Sequence, residues 1–205
     1  MSIKIPKPSS TIKLEDGTYI ARCYQIIHIG TTRYEWNGQT NTSNKVRITF
    51  EIPSEMRTFK EGEPEKPVVI SGEWNLSFGK KSKLRPLLES WKGKAFKDLE
   101  IDEFEVGNLL GQPAVLSIVK NEKGYPEITG ISKLMKGVEC PPAINPPVIL
   151  DYDNFNEDVF EKLPPFIKEK IKSSDEYRRM KGENINANGD EEQPEEPESA
   201  DSIPF

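Results

Sequence analysis

Five segments with the composition or period of β-strands, one amphipathic helix between the third and fourth, and an end without large apolar residues predict a mainly β protein. The predicted architecture is a five-stranded β-barrel with one helix between strands 3 and 4, a C-terminal helical extension and a disordered acidic tail. The 205 residues suit one domain with a substantial core plus an appendage. The expected division is residues 1–137 for the barrel, 138–181 for a proline-rich linker and helical extension packing on it, and 182–205 for the tail.

Residues 18–29, Thr-Tyr-Ile-Ala-Arg-Cys-Tyr-Gln-Ile-Ile-His-Ile, are rich in β-branched and aromatic side chains and lie between Gly17 and Gly30, so they read as a long first strand. A polar loop is expected from Gly30 to Asn44. Beyond it Val46, Ile48 and Phe50 alternate with Lys45, Arg47 and Thr49, the period of a strand with one core face and one cationic face. A charged, proline-flanked loop from Pro53 to Pro67 leads into a third strand over residues 68–78, where Gly72 suggests a bend or bulge.

Leu84, Leu87, Leu88 and Trp91 follow the i, i+3, i+4, i+7 spacing of one helical face, which assigns Trp91 to the core, and Pro86 falls near the first turn, where it is tolerated. Residues 112–120 and 125–134 are apolar and β-branched on either side of Asn121–Gly124, a turn-forming group that predicts a hairpin. The order β-β-β-α-β-β fits a five-stranded OB-type barrel. Val138 to Pro147 is proline-rich and expected to be irregular, and Phe166, Ile167, Ile171 and Tyr177 mark a sparse apolar stripe on a helix starting near Pro164. From Gly182 onward Glu, Asn and Pro dominate, and too little apolar surface exists to offset the entropy of ordering.

The net charge of −6 conceals a division. Residues 182–205 hold eight acids and no Lys or Arg, which leaves residues 1–181 at +2. Within that body, Lys80, Lys81, Lys83, Arg85, Lys92, Lys94 and Lys97 form a basic stripe interrupted only by Glu89. The N-terminus lacks the apolar core of a signal peptide and no stretch is apolar for long enough to span a bilayer, so a soluble, cytoplasmic protein without membrane contact is expected. Two cysteines, Cys23 and Cys140, make no Cys-x-x-Cys pair and suit a reducing compartment.

Single strands of nucleic acid are held by a basic groove with aromatic platforms for the bases. Arg33, Tyr34 and Trp36 in the Gly30–Asn44 segment, and Lys45 and Arg47 on one strand face, supply both parts; Arg22, Lys80, Lys81 and Lys83 extend the set of candidate DNA contacts. Trp36 reads either as a loop anchor or as a base contact, and Lys45 and Arg47 either as a solvated face or as a phosphate track. Trp74 shares a face with Leu76 and Phe78, so it is either core or a contact at the barrel rim, since OB folds bind ligands on the face of strands two and three.

Enzymatic readings fare poorly, and no cofactor or metal is expected. His28 is the only histidine and sits inside a predicted strand, which excludes a nucleophilic triad and a multi-histidine metal site. Gly79-Lys80 has the ending of a phosphate-binding loop, but Trp74 stands where the first glycine is required and Lys81 where Ser or Thr is. Asp151-Tyr152-Asp153 begins like a calcium loop, yet Phe155 and Asn156 occupy the positions of an oxygen ligand and a glycine.

The chain ends Asp201-Ser202-Ile203-Pro204-Phe205, which resembles the Asp-Asp-Asp-Ile-Pro-Phe terminus of bacterial single-stranded-DNA-binding proteins. Ser82-Lys83-Leu84-Arg85, Leu88-Glu89-Ser90-Trp91, Leu109-Leu110-Gly111 and the segment from Leu163-Pro164-Pro165-Phe166 through Tyr177 resemble a family of phage proteins of the same class. The resemblance implies a phage-encoded protein acting in DNA replication, recombination or repair. It also implies that Asp201, Ser202, Ile203, Pro204 and Phe205 dock replication and repair proteins, with Ile203 and Phe205 filling an apolar pocket; Ser202 departs from the usual acid. A second expectation, from a different class, is a protein-interaction OB module that binds no DNA and uses its acidic tail as a nucleic-acid mimic.

Overall fold

A 20-residue strand, β1 (Gly17–Trp36), lies at the centre of the sheet and pairs with three other strands. It pairs antiparallel with β2 (Gln39–Arg57) along most of its length, with β4 (Pro113–Lys120) over Gly17–Arg22, and in parallel with the short β6 (Val148–Leu150) at Gln25–Ile27. With β3 (Lys66–Asn75) and β5 (Pro126–Ser132) the sheet runs β3-β2-β1-β4-β5. The computed structural model describes residues 14–79, 82–97, 100–101 and 103–184. The expectation of a disordered tail therefore lies outside the described residues, apart from its first three.

Where the sequence predicts a five-stranded OB-type barrel, the structure has an open six-stranded sheet. Its end strands β3 and β5 are not hydrogen-bonded to each other. Leu76 and Phe78 pack on the core, and Phe78, Phe96 and Phe104 meet edge to face with centroids 4.9–6.0 Å apart. Helix α1 (Leu84–Lys92) lies between β3 and β4 in the chain and buries Leu84, Leu88 and Trp91. The Trp91 ring rests 5.2 Å from Phe50, and its Nε1–H donates to the Pro113 carbonyl at 2.8 Å. Gly93, left-handed at φ 75°, ends the helix.

The segment expected as a loop, Gly30 to Asn44, is instead a β-hairpin arm. Trp36 pairs with Gln39, and Asn37 and Gly38 between them both take positive φ, 50° and 74°. Asn-Gly is the preferred pair for such a two-residue turn because its backbone twist matches that of the flanking strands. The Thr- and Asn-rich flanks carry no hydrophobic alternation, which is why the arm reads as a loop. At Gly72 the pairing with Ile48 is regular rather than bulged. The glycine makes room for Trp74, whose indole lies where a Cβ would be.

β1 is buried on both faces. Two bulges, each adding one residue opposite β2 at Tyr24 and Ile29, reset its alternation. Ala21, Cys23 and Ile26 face the main core with Val46, Ile48, Phe50 and Leu116. Ile27 and Ile29 face a second core built with Leu150, Phe160, Leu163, Ile167 and Ile171. That core belongs to three C-terminal helices, α2 (Glu157–Glu161), α3 (Pro165–Lys172) and α4 (Asp175–Met180). Gly30, at φ 91°, lies so close to α4 that a Cβ there would meet the Ser174 side chain at 2.7 Å. Burial pushes the Cys23 thiol up to about 12, against a smaller opposing effect of a backbone hydrogen bond at Gln25, so it remains protonated. Among the described residues no helix is long and apolar enough to cross a membrane.

Glu51, fully buried on β2, fastens the linker to the sheet. Its carboxylate accepts from the backbone N–H of Ile144 at 2.9 Å and from both the backbone and side-chain N–H of Asn145 at 2.8 Å. Glu51→Ala is expected to lower the unfolding free energy by about 2 kcal/mol, since orphaned donors cost roughly 1–3 kcal/mol. Urea denaturation measures this, and a midpoint equal to wild type would contradict it.

Candidate nucleic-acid interface

Lys45 and Arg47 share the outward face of β2, and the β3 residues opposite them are Asn75 and Glu73. Arg47 donates from Nη1 to Glu73 Oε1 at 2.9 Å, and Lys170 on α3 places Nζ 2.6 Å from Glu73 Oε2. One carboxylate thus bridges two cations from elements far apart in the chain. Burial alone would raise the Glu73 pKa, but Lys170 and Arg47 together outweigh it and hold the carboxyl below its ordinary value. The Arg47 guanidinium also lies 5.6 Å from the centroid of the Phe166 ring. Phe166 is 55 % exposed.

Further along the same face Thr49 hydrogen-bonds to Gln25 and Ser71. The outward side of β2 and β3 is therefore a polar strip with one exposed aromatic ring at its edge. Sequence reasoning placed Phe166 on the apolar stripe of its helix. In the structure Ile167 and Ile171 fill the second core and Phe166 points away from it.

The other predicted contacts are distributed. Arg22 is a structural clamp: its guanidinium donates to the carbonyls of Gly111 at 2.7 Å, Pro141 at 2.9 Å and Cys140 at 3.3 Å. Arg33, on the hairpin arm, makes a two-point contact with the buried Asp175 at the start of α4, at 3.0 and 3.2 Å, which raises its pKa further. Thr31 beside it donates from its backbone N and its hydroxyl to Glu176, at 2.6 Å each. Tyr34 is half-buried opposite Asn41. Trp74 packs on the main core against Gly72.

Lys83 is exposed just before α1. Lys80, Lys81 and the tip Asp201, Ser202, Ile203, Pro204 and Phe205 lie outside the described residues, as does the Trp36 side chain; the Trp36 backbone is the last position of β1 before the turn. Sequence reasoning also passed over Tyr125, 55 % exposed beside Lys123 in the β4–β5 turn.

Three cations of the basic stripe are paired within the fold. Arg85 pairs with Glu89 at 3.1 Å, and Lys92 and Lys94 both reach Glu100, at 2.9 and 3.4 Å. The Lys92 hydrogen bond is the main cause that holds the Glu100 carboxyl at about 2; a smaller effect of burial opposes it, while Lys94 and the Lys97 N–H assist. Among the described residues no group of three or more His, Cys, Asp or Glu is placed to hold a metal ion. No protein-family model, no curated protein and no solved structure matches this chain.

Glu100 is expected to stay ionised down to about pH 2, so its contribution to stability is present above its ordinary carboxylate range and is lost as the pH falls through about 2. Side-chain carboxyl NMR titration measures this. Lys92→Ala should return the midpoint toward the ordinary value, and an unchanged midpoint would remove Lys92 as the cause.

Proposed function

We propose that this chain has an OB-type fold and binds single-stranded DNA without strong sequence preference on the outward face of β2 and β3. The observation that carries the reading is the strand order β3-β2-β1-β4-β5 with α1 between β3 and β4 in the chain. An OB fold is a five-stranded, partly open Greek-key barrel that holds oligonucleotides on strands 2 and 3 and on the loops joining strands 1 to 2 and 4 to 5. At the corresponding places this chain carries Lys45 and Arg47, the hairpin arm with Tyr34 and Trp36, and the Lys123–Tyr125 turn. The acidic tract and the Ile203-Pro204-Phe205 motif behind it support a second role, capture of replication, recombination or repair proteins by an aromatic anchor. We place the chain in the cytoplasm of a bacterial host as a phage-type protein that requires no cofactor and performs no catalysis.

One observation favours the alternative, a protein-interaction module that binds no DNA: Arg33 and Arg47 already hold carboxylates. Fluorescence titration with oligothymidylate decides between the two. DNA binding predicts tryptophan quenching, weak affinity for duplex, and a log-log salt slope of about 0.7 per phosphate neutralised. Equal affinity for duplex and single strand would sink the proposal. For the tip, removing Ile203–Phe205 should leave DNA affinity within about twofold of intact protein while abolishing capture of a replication or repair protein from host lysate. Identical captured sets from intact and truncated chains would contradict the docking role.

A further inference from the structure

We propose that Phe166 is a stacking platform for one nucleobase, and that Arg47 and Lys170 leave Glu73 to take the phosphates flanking that base. This rests on the single-stranded-DNA reading above and names a residue and an exchange within that site. α3 buries Ile167 and Ile171 completely, yet the adjacent Phe166 is 55 % exposed. Four residues on, Lys170 lies on the same side of the helix, so α3 presents a ring and an ammonium together over β3.

Arg47 approaches the ring from β2. The Arg47 guanidinium lies over one face of the exposed ring, which leaves the other face for a base, and the two cations that meet on Glu73 supply phosphate contacts beside it. Glu73 supplies two carboxylate oxygens to those cations, as a phosphate would. It holds both side chains in place in the free protein and is displaced as a strand enters. Because Glu73 carries negative charge, the exchange opposes binding by repulsion between carboxylate and phosphate.

The test measures fluorescence anisotropy of labelled oligothymidylate and of an abasic oligonucleotide of equal length, with the full chain and four variants. Phe166→Leu keeps apolar volume without a π face and should weaken oligothymidylate binding about tenfold, leaving abasic affinity unchanged. Phe166→Ala should do the same, and Phe166→Trp should retain wild-type affinity. Glu73→Gln should strengthen both oligonucleotides several-fold at low salt, with the gain shrinking as salt rises.

Wild-type affinity in Phe166→Leu would overturn the platform, as would equal losses on both oligonucleotides, which would mean that the ring only supports the helix. Unchanged or weaker binding by Glu73→Gln would overturn the exchange. Absence of binding by the wild-type chain would instead bring down the single-stranded-DNA reading, and the platform with it.

Discussion

Everything in this molecule depends on one strand having two apolar faces. β1 carries Cys23 and Ile26 into the main core and Ile27 and Ile29 into the second. Alternation sends the adjacent Ile26 and Ile27 to opposite faces, and the added residue at Tyr24 lets Cys23 and Ile26, three positions apart, share the main core. The C-terminal helices are thus part of the folded body rather than an accessory. Their seating fixes α3 through Ile167 and Ile171, and that in turn brings Phe166 and Lys170 to the outward face of β2 and β3.

Electrostatics then shapes the surface. Two cations that the sequence assigns to a DNA track are held by carboxylates in the folded chain, Arg33 by Asp175 and Arg47 by Glu73, and Lys170, Lys92 and Lys94 are held likewise, by Glu73 and Glu100. An exposed pair such as Lys94–Glu100 adds little stability, but all of these pairs orient long side chains. A phosphate reaching such a surface meets positioned donors and must displace an acid to use them. On the proposed reading, affinity on this face is a difference between two similar interactions, and the existing ion pairs lower its salt slope.

The elements legible in the sequence are those with a clear apolar period: the inner face of β2 at Val46, Ile48 and Phe50, and α1 with Leu84, Leu88 and Trp91. The hairpin arm was hidden because its strands are Thr- and Asn-rich, though Asn37-Gly38 carries the turn signal. β6 spans three residues, too short for any period. Whether β3 and β5 pair to close the sheet is a long-range contact, which spacing does not encode. The site was legible in its β2 cations but not in their partners, because Glu73 and Lys170 stand 97 residues apart and Arg33 and Asp175 stand 142 apart. Arg22 looked like a surface cation and is a clamp on three carbonyls.

The central claim is that the β2–β3 face, with α3 at its edge, is where a single strand lies. Amide hydrogen exchange of the full chain with and without saturating oligothymidylate tests it most directly, because it locates the contact without altering a residue. The account predicts slower exchange over residues 45–49, 71–75 and 166–172, with the β4–β1 pairing at residues 17–22 unchanged. Protection confined to other elements, or none at saturation, would contradict it.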